Sequence, residues 1–320
     1  MVDHAIEIAG EIIAPGKRKR LDIPVGHLAT QIPINLPVIV VNGQGAGPKL
    51  WLSAAIHGDE INGVEIIRQV LARVRTKYLE GTIIAVPVVN VFGFIEQSRY
   101  LPDRRDLNRS FPGSPNGSLA SRLAYLFMEE VVKHSTHGID LHTAGQPRTN
   151  MPQVRANLED EATYNFAQSF GAPLLIHSSH RDGSLRQAAA SKGIPVLLYE
   201  GGEALRFDGS AIQIGVEGIF RAMAYLQMYP YTSTLIDRNS IEVRETTWVR
   251  ASRGGVVHLG VCLGERVKKR QSLGMITDAF GEDKVKISSP ADGMVIGHVQ
   301  NPLVNQGDAI VQLAKFNLTI

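Results

Sequence analysis

Between Leu36 and Met228, short apolar runs alternate with longer amphipathic ones. Leu36–Val41, Leu50–Ile56 and the β-branched run Thr82–Val89 predict strands. Ile139–Leu141, Pro173–Ile176 and Pro195–Tyr199 predict shorter, buried ones. In Gly63–Val74 the apolar residues Val64, Ile66, Ile67, Val70, Leu71 and Val74 recur near a helical period. Leu119–Val132 (with Ser118 as its N-cap), Asp160–Phe170 and Ala211–Met228 read as further helices. Strands alternating with helices imply an α/β fold, with a mainly parallel sheet covered on both faces.

From about Ile241 the pattern changes to short Val-rich runs punctuated by Gly, with no helical period. That predicts an all-β domain. Val267, Gln271, Leu273 and Ile276 recur 37 positions later as Val304, Asp308, Ile310 and Leu313, and Gly260 recurs as Gly297. Two such half-motifs suit a small sandwich with pseudo-twofold symmetry. The expected organisation is an N-terminal extension over 1–35 packing on one of the domains, an α/β domain over 36–235 and a β domain over 241–320.

Composition narrows the function without naming it. The chain has 320 residues, 44% hydrophobic and 20% charged, an ordinary globular balance. A net charge of +2 with no long Lys/Arg run gives no reason to expect nucleic acid. Cys262 is the single cysteine, so no internal disulfide can form. The N-terminus has no basic segment ahead of an apolar stretch, and Pro87, Asn90 and Gly93 interrupt the most apolar run, Ile83–Ile95. No membrane partner and a cytoplasmic location are therefore expected, with homo-oligomerisation left open.

Polar residues stand at the carboxyl ends of the predicted strands: His57, Asn90, His142 and Glu200. Parallel α/β sheets bind ligands at that edge. His57-Gly58-Asp59-Glu60 places an imidazole and a carboxylate three apart on a turning backbone, and His142 offers a third ligand. Two His and one Glu form a catalytic zinc set that leaves a fourth position for water. Asp59 is a rival to Glu60, and Asp140 is placed to support His142 from behind. Arg99, Arg104, Arg105 and Arg109 fall within eleven residues, a cluster suited to an anionic substrate or else a solvated mixed-charge loop. Glu200, followed by Gly201-Gly202, suits general base and acid work if it faces a cleft, or could simply begin the next helix.

These segments resemble the succinylglutamate desuccinylase/aspartoacylase family of zinc carboxypeptidase-like deacylases. The resemblance spans roughly Leu36 to Tyr229. It rests on His57-Gly58-Asp59-Glu60 followed by Asn62-Gly63, on Asp106-Leu107-Asn108-Arg109, on Asp140-Leu141-His142-Thr143 and on Glu200 at a strand end. It implies a mixed sheet with antiparallel strands at the Leu36–Val89 end. It also implies one zinc ion per chain on His57, Glu60 and His142, and Glu200 as general base and then acid. Asn108 and Arg109 would hold a substrate carboxylate, with Arg105 as a further contact. Arg99 would polarise the scissile carbonyl, with Arg104 or Arg105 as alternatives. The implied activity is hydrolysis of a small anionic N-acyl amino acid or related acyl amide. A metallocarboxypeptidase or a zinc-dependent esterase is the alternative, and a non-catalytic binding protein ranks below both. Arg148 and Arg155 are further candidates for substrate contact, whereas His134, His137, His177 and His180 read as structural or surface residues.

The C-terminal half also resembles biotinyl and lipoyl carrier domains at its Ser289-Pro290-Ala291-Asp292-Gly293 turn. The matching tip, Thr277-Asp278-Ala279-Phe280-Gly281-Glu282, lacks the lysine that carriers modify. A barrel-sandwich scaffold without carrier function is expected.

Overall fold

The computed structural model describes residues 4–179, 181–232 and 240–315; the expected boundary at 235 and His180 lie outside them. The chain opens with a hairpin, β1 (Ile6–Ile8) and β2 (Glu11–Ile13), then β3 (Arg18–His27), β4 (Pro33–Asn42) and β5 (Gly45–Ala54). Next come α1 (Asn62–Arg73), β6 (Glu80–Val86), the short α2 (Val91–Ile95) and α3 (Leu119–Glu130). β7 (His137–Ala144), β8 (Arg148–Ala156), α4 (Glu161–Phe170), β9 (Leu174–His177), α5 (Leu185–Ala190), β10 (Val196–Glu203) and α6 (Gly209–Tyr225) follow. Ser118 caps α3 as expected, its hydroxyl accepting from the Ser121 amide at 3.3 Å.

β10, β7, β5 and β6 run parallel, side by side. β4 is antiparallel to β6, and β3 is antiparallel to β4 at the edge, the mixed arrangement expected at this end. On β5, Leu50, Leu52 and Ala54 pack into the core beneath α1, α4 and α6, while Trp51 packs into the core beneath α3. Helices on both faces explain why Leu50–Leu52 of β5 and Ile83–Val86 of β6 are unbroken apolar runs rather than alternating ones.

Four strands before the C-terminal half escape the apolar pattern: β1, β2, β3 and β8. β3 lies within the stretch 1–35 and carries charged residues on its open face together with Pro24, as edge strands do. β8 escapes because one of its faces lines a polar cavity, through Arg148, Asn150 and Arg155. It is antiparallel to β10.

The C-terminal half is all β, as expected. It comprises β11 (Ile241–Val243), β12 (Thr246–Arg250), β13 (Gly255–Leu259), β14 (Arg266–Val267), β15 (Ser272–Thr277), β16 (Lys284–Ser288), β17 (Gly293–Val299), β18 (Leu303–Val304) and β19 (Ala309–Lys315). The repeat is visible in the pairing. β13 pairs with β15 and β18, and β17 pairs with β19 and β14, so each half-motif takes its short strand from the other. β16, β15, β13 and β18 form a small separate sheet. β17, by contrast, pairs edge to edge with the start of β8. Hydrogen bonding therefore continues from the α/β part into the C-terminal half, giving 13 strands among the described residues. At the β15–β16 tip Phe280 is exposed where a carrier would present its lysine.

Candidate active site

His57 and Glu60 follow β5, and His142 lies near the end of the adjacent β7. All three side chains are buried, with ligand atoms within 4.8 Å of one another. Nδ1 of His57 lies 2.7 Å from Glu60 Oε1, and Nδ1 of His142 lies 2.7 Å from Glu60 Oε2. The far nitrogens are anchored on carboxylates: His57 Nε2 on Asp106 at 3.2 Å and His142 Nε2 on Asp140 at 2.8 Å. Ser53 steadies Asp140 in turn by donating its hydroxyl at 2.8 Å. An imidazole whose Nε2–H points to a carboxylate turns its Nδ1 lone pair toward a metal. The donor set thus fits a single cation, with both Nδ1 atoms on the Glu60 side and each Nε2 backed by a carboxylate.

Electrostatics follows the geometry. Burial opposes charge on every member, but here the mutual attraction wins. Glu60 is held well below the usual carboxylate range against its own burial by His57 and His142. Both imidazoles are raised against theirs, His57 by Glu60 and Asp106, His142 by Asp140 and Glu60. Asp59 stays outside the ligand group. Burial and the neighbouring Glu60 raise its carboxyl, and its backbone carbonyl accepts from Leu205 N at 2.8 Å.

The site is locked from the start of α1. Asn62 Nδ2 donates to the Gly201 carbonyl at 3.0 Å, and Asn62 Oδ1 accepts from Asp208 N at 3.0 Å. A Cβ added at Gly63 would stand 2.7 Å from the Cβ atoms of Ala54 and Leu141. The Asn-Gly pair therefore lets α1 press onto β5 and β7 and ties it to β10 just beyond Glu200.

A cavity of about 590 Å³ opens above the three ligands. Glu200 lines it, in register with His142 on the neighbouring strand. Arg99 lines it too, donating to Asp106 Oδ2 at 2.9 Å, with Nη1 3.2 Å from His57 Nδ1. Asn108 and Arg109 share the wall. Asn108 Oδ1 accepts from Leu185 N at 3.0 Å, which leaves its Nδ2 as the free donor. Arg109 donates to the Asn108 carbonyl.

Arg105 does not join them. Its side chain is 64% exposed, pairs only with Asp103 at 3.8 Å, and lies outside the cavity wall, as Arg104 does. The reason is the turn at Leu101–Arg105, closed by hydrogen bonds between Leu101 and Arg105 and between Arg104 and Leu101; it points this part of the loop outward. Of the alternatives for the carbonyl-polarising arginine, the structure brings Arg99 alone to the ligands.

Arg148 and Arg155, on β8, do reach the cavity. Five contributors were not foreseen. Arg181 and Arg186 enter from the segment around α5, and Trp248 and Gln312 from the C-terminal strands β12 and β19. Asn150 donates to Glu200 Oε2 at 2.6 Å. None of these has a local sequence signal, because each reaches the cavity through a long-range strand or loop contact. Arg186 is 7% exposed, with one guanidinium nitrogen lacking a partner among the described residues; burial, with Arg155 nearby, lowers its pKa to about 10. His177 and His137 are structural, as expected. His177 accepts from Leu158 N at 3.3 Å, and His137 packs against Phe166.

A family model for the succinylglutamate desuccinylase/aspartoacylase catalytic domain matches residues 46–226. An N-alpha-acetyl-L-2,4-diaminobutyric acid deacetylase of Halomonas elongata is 27% identical over 295 residues, covering 88% of this chain and 86% of the relative. A succinylglutamate desuccinylase/aspartoacylase from Rhodobacter sphaeroides superposes with a TM-score of 0.83 at 26% identity, covering 93% of this chain and 96% of that one. The product-bound ectoine utilization protein EutE (DoeB) of Ruegeria pomeroyi shares the fold, with a TM-score of 0.84 at 22% identity over 94% of this chain and 95% of the other. Among the described residues no helix is long and apolar enough to cross a membrane. With the His57, Glu60 and His142 metal site in place, the chain belongs to the succinylglutamate desuccinylase/aspartoacylase family of deacylases.

Proposed function

We propose that the chain is a zinc-dependent deacylase that hydrolyses the amide bond of a small, anionic N-acyl amino acid. The observation that carries the reading is convergence: three metal ligands, Glu200 and six arginines line one cavity. A zinc ion on those ligands supplies a water of pKa about 7 and polarises the carbonyl oxygen. Glu200 accepts the proton of the attacking water and passes it to the leaving amine nitrogen. Arg99 donates to the oxygen that gains charge; loss of such a donor typically costs about 100- to 1000-fold in rate. Asn108 Nδ2 and Arg109 hold the substrate carboxylate.

The wall argues for the sign of the substrate's charge. Both acids that line the cavity are engaged, Glu60 with the two imidazoles and Glu200 with Asn150 and Arg155, and behind the ligands Asp106 is held by His57 and Arg99 and Asp140 by His142. An ammonium group, such as the side-chain amine of the diaminobutyrate in the Halomonas relative's name, would meet arginines rather than a free carboxylate. An acidic substrate is favoured. Trp248 and Gln312 wall the cavity from the C-terminal half, which favours a small molecule over a peptide.

The test is elemental analysis with an activity screen. About one zinc per chain is expected in the wild type, lost in His142→Ala and kept in Glu200→Ala. The wild type should release amine from N-acetyl or N-succinyl acidic amino acids, with Glu200→Ala as the blank. A wild type that takes up no metal even when zinc is supplied overturns the reading.

A further inference from the structure

Glu200 projects from an irregular stretch of sheet. Just after Glu200 the register slips against both neighbours, between Glu200 and Glu203 on the β7 side and between Glu200 and Gly202 on the β8 side. Bulges re-aim side chains and weaken the local ladder, so the backbone alone does not fix this carboxylate. Two side chains of β8 do. Asn150 Nδ2 donates to Glu200 Oε2 at 2.6 Å, and Arg155 Nε stands 3.6 Å from Glu200 Oε1.

Asn150 is itself held from the other side. It is buried, and its backbone registers with Gly297 of β17. A Cβ added at Gly297 would stand 2.7 Å from Asn150 Oδ1, the one contact there shorter than 3.0 Å. Gln312 of β19, also buried, registers with the same Gly297 and lines the cavity. Asn150 is thus clasped between Glu200 and the bare backbone of Gly297, which belongs to the C-terminal half.

We propose that Asn150 is a positioning residue for Glu200 and that β17, through Gly297, holds Asn150 in place, so that the C-terminal half aligns the general base. The catalytic part rests on Glu200 being that base. A donor bound to one carboxylate oxygen fixes the plane of the group and leaves the other oxygen for the water. Without it, Glu200 would swing toward Arg155.

The test combines a stability cycle with kinetics. Asn150→Ala, Gly297→Ala and the double variant are compared by denaturant unfolding, which needs neither metal nor substrate. If Gly297→Ala acts by pressing on the Asn150 side chain, the double variant is less destabilised than the sum of the singles. Additive losses overturn the clasp. The same variants, zinc-loaded, are assayed on N-acetyl-L-aspartate and N-acetyl-L-glutamate. Asn150→Ala and the isosteric Asn150→Asp should each lower kcat by about 10- to 100-fold with KM within about twofold. Gly297→Ala should lower kcat about fivefold or more, and adding it to Asn150→Ala should cost nothing further. If Asn150→Asp keeps full kcat, the residue only fills space and the positioning role fails. A stability coupling without a fall in kcat for Gly297→Ala overturns the role of the C-terminal half. A wild type inactive on every N-acyl amino acid sinks the hydrolase reading and the catalytic half of this proposal, while the unfolding cycle still decides the clasp.

Discussion

His57 and His142 are held alike: Nε2 on a carboxylate, Nδ1 on Glu60. Without metal, each imidazole keeps its proton above the ordinary value of 6.5. A raised folded-state pKa stabilises the fold below the unfolded value and loses that contribution as pH rises through the folded value. Glu60 contributes oppositely, stabilising above its ordinary value of 4.5 and failing only as pH falls through its lowered one. Metal needs the imidazoles deprotonated, so zinc gains as the protonated pairs fade. The melting-temperature gap between zinc-loaded and chelated protein should therefore widen from about pH 6 to about pH 8. A gap independent of pH would refute the proton–metal competition. The arginines give a second prediction at this scale. Arg109→Ala should raise KM for an acidic substrate by about tenfold or more, whereas Arg105→Ala, whose side chain points to solvent, should leave KM within about twofold. Steady-state kinetics on the two variants distinguishes wall from loop.

Among the elements, α1 shows how a short motif carries structure. Gly63 has no room for a methyl group between Ala54 and Leu141, residues of the strands that lead to the ligands. Gly63→Ala should cost about 1–3 kcal/mol as overpacking and weaken zinc retention, because the helix that moves begins just after Glu60. Calorimetry and metal analysis check both; a variant that loses stability but retains metal normally would show that α1 does not align the site. The same scale explains what could be read from the chain. β5 and β6 are buried on both faces and α1, α4 and α6 on one, so apolar spacing revealed them. The metal ligands were legible because strand ends interrupt apolar runs with His and Glu. β8 was not, because its cavity face carries Arg148, Asn150 and Arg155, so its polarity resembled a loop. Arg181, Arg186 and Trp248 were invisible for a different reason: only tertiary contact brings them to the site. Arg105 misled because charge spacing does not reveal which way a turn faces.

For the whole molecule, the cavity belongs to both halves. Arg148 of β8 lies 5.2 Å from the ring of Trp248, a cation–π contact across the two. Trp248→Ala should enlarge the cavity and free Arg148. The ratio of kcat/KM for longer N-acyl chains to that for N-acetyl substrates should then rise by about tenfold. A chain-length series on the variant measures it, and an unchanged ratio would place Trp248 outside the acyl path.

β8 pairs with β17, which follows in chain order every strand that positions a metal ligand or Glu200. During synthesis, β5 and β7, which position the metal ligands, and β10, which carries Glu200, all leave the ribosome before the segment that borders Asn150. A nascent chain that has not yet reached β17 holds all three metal ligands but lacks the strand that borders Asn150. If Gly297 clasps Asn150 as proposed, metal uptake would come before hydrolysis as the chain emerges, and activity would wait for β17 to dock on β8.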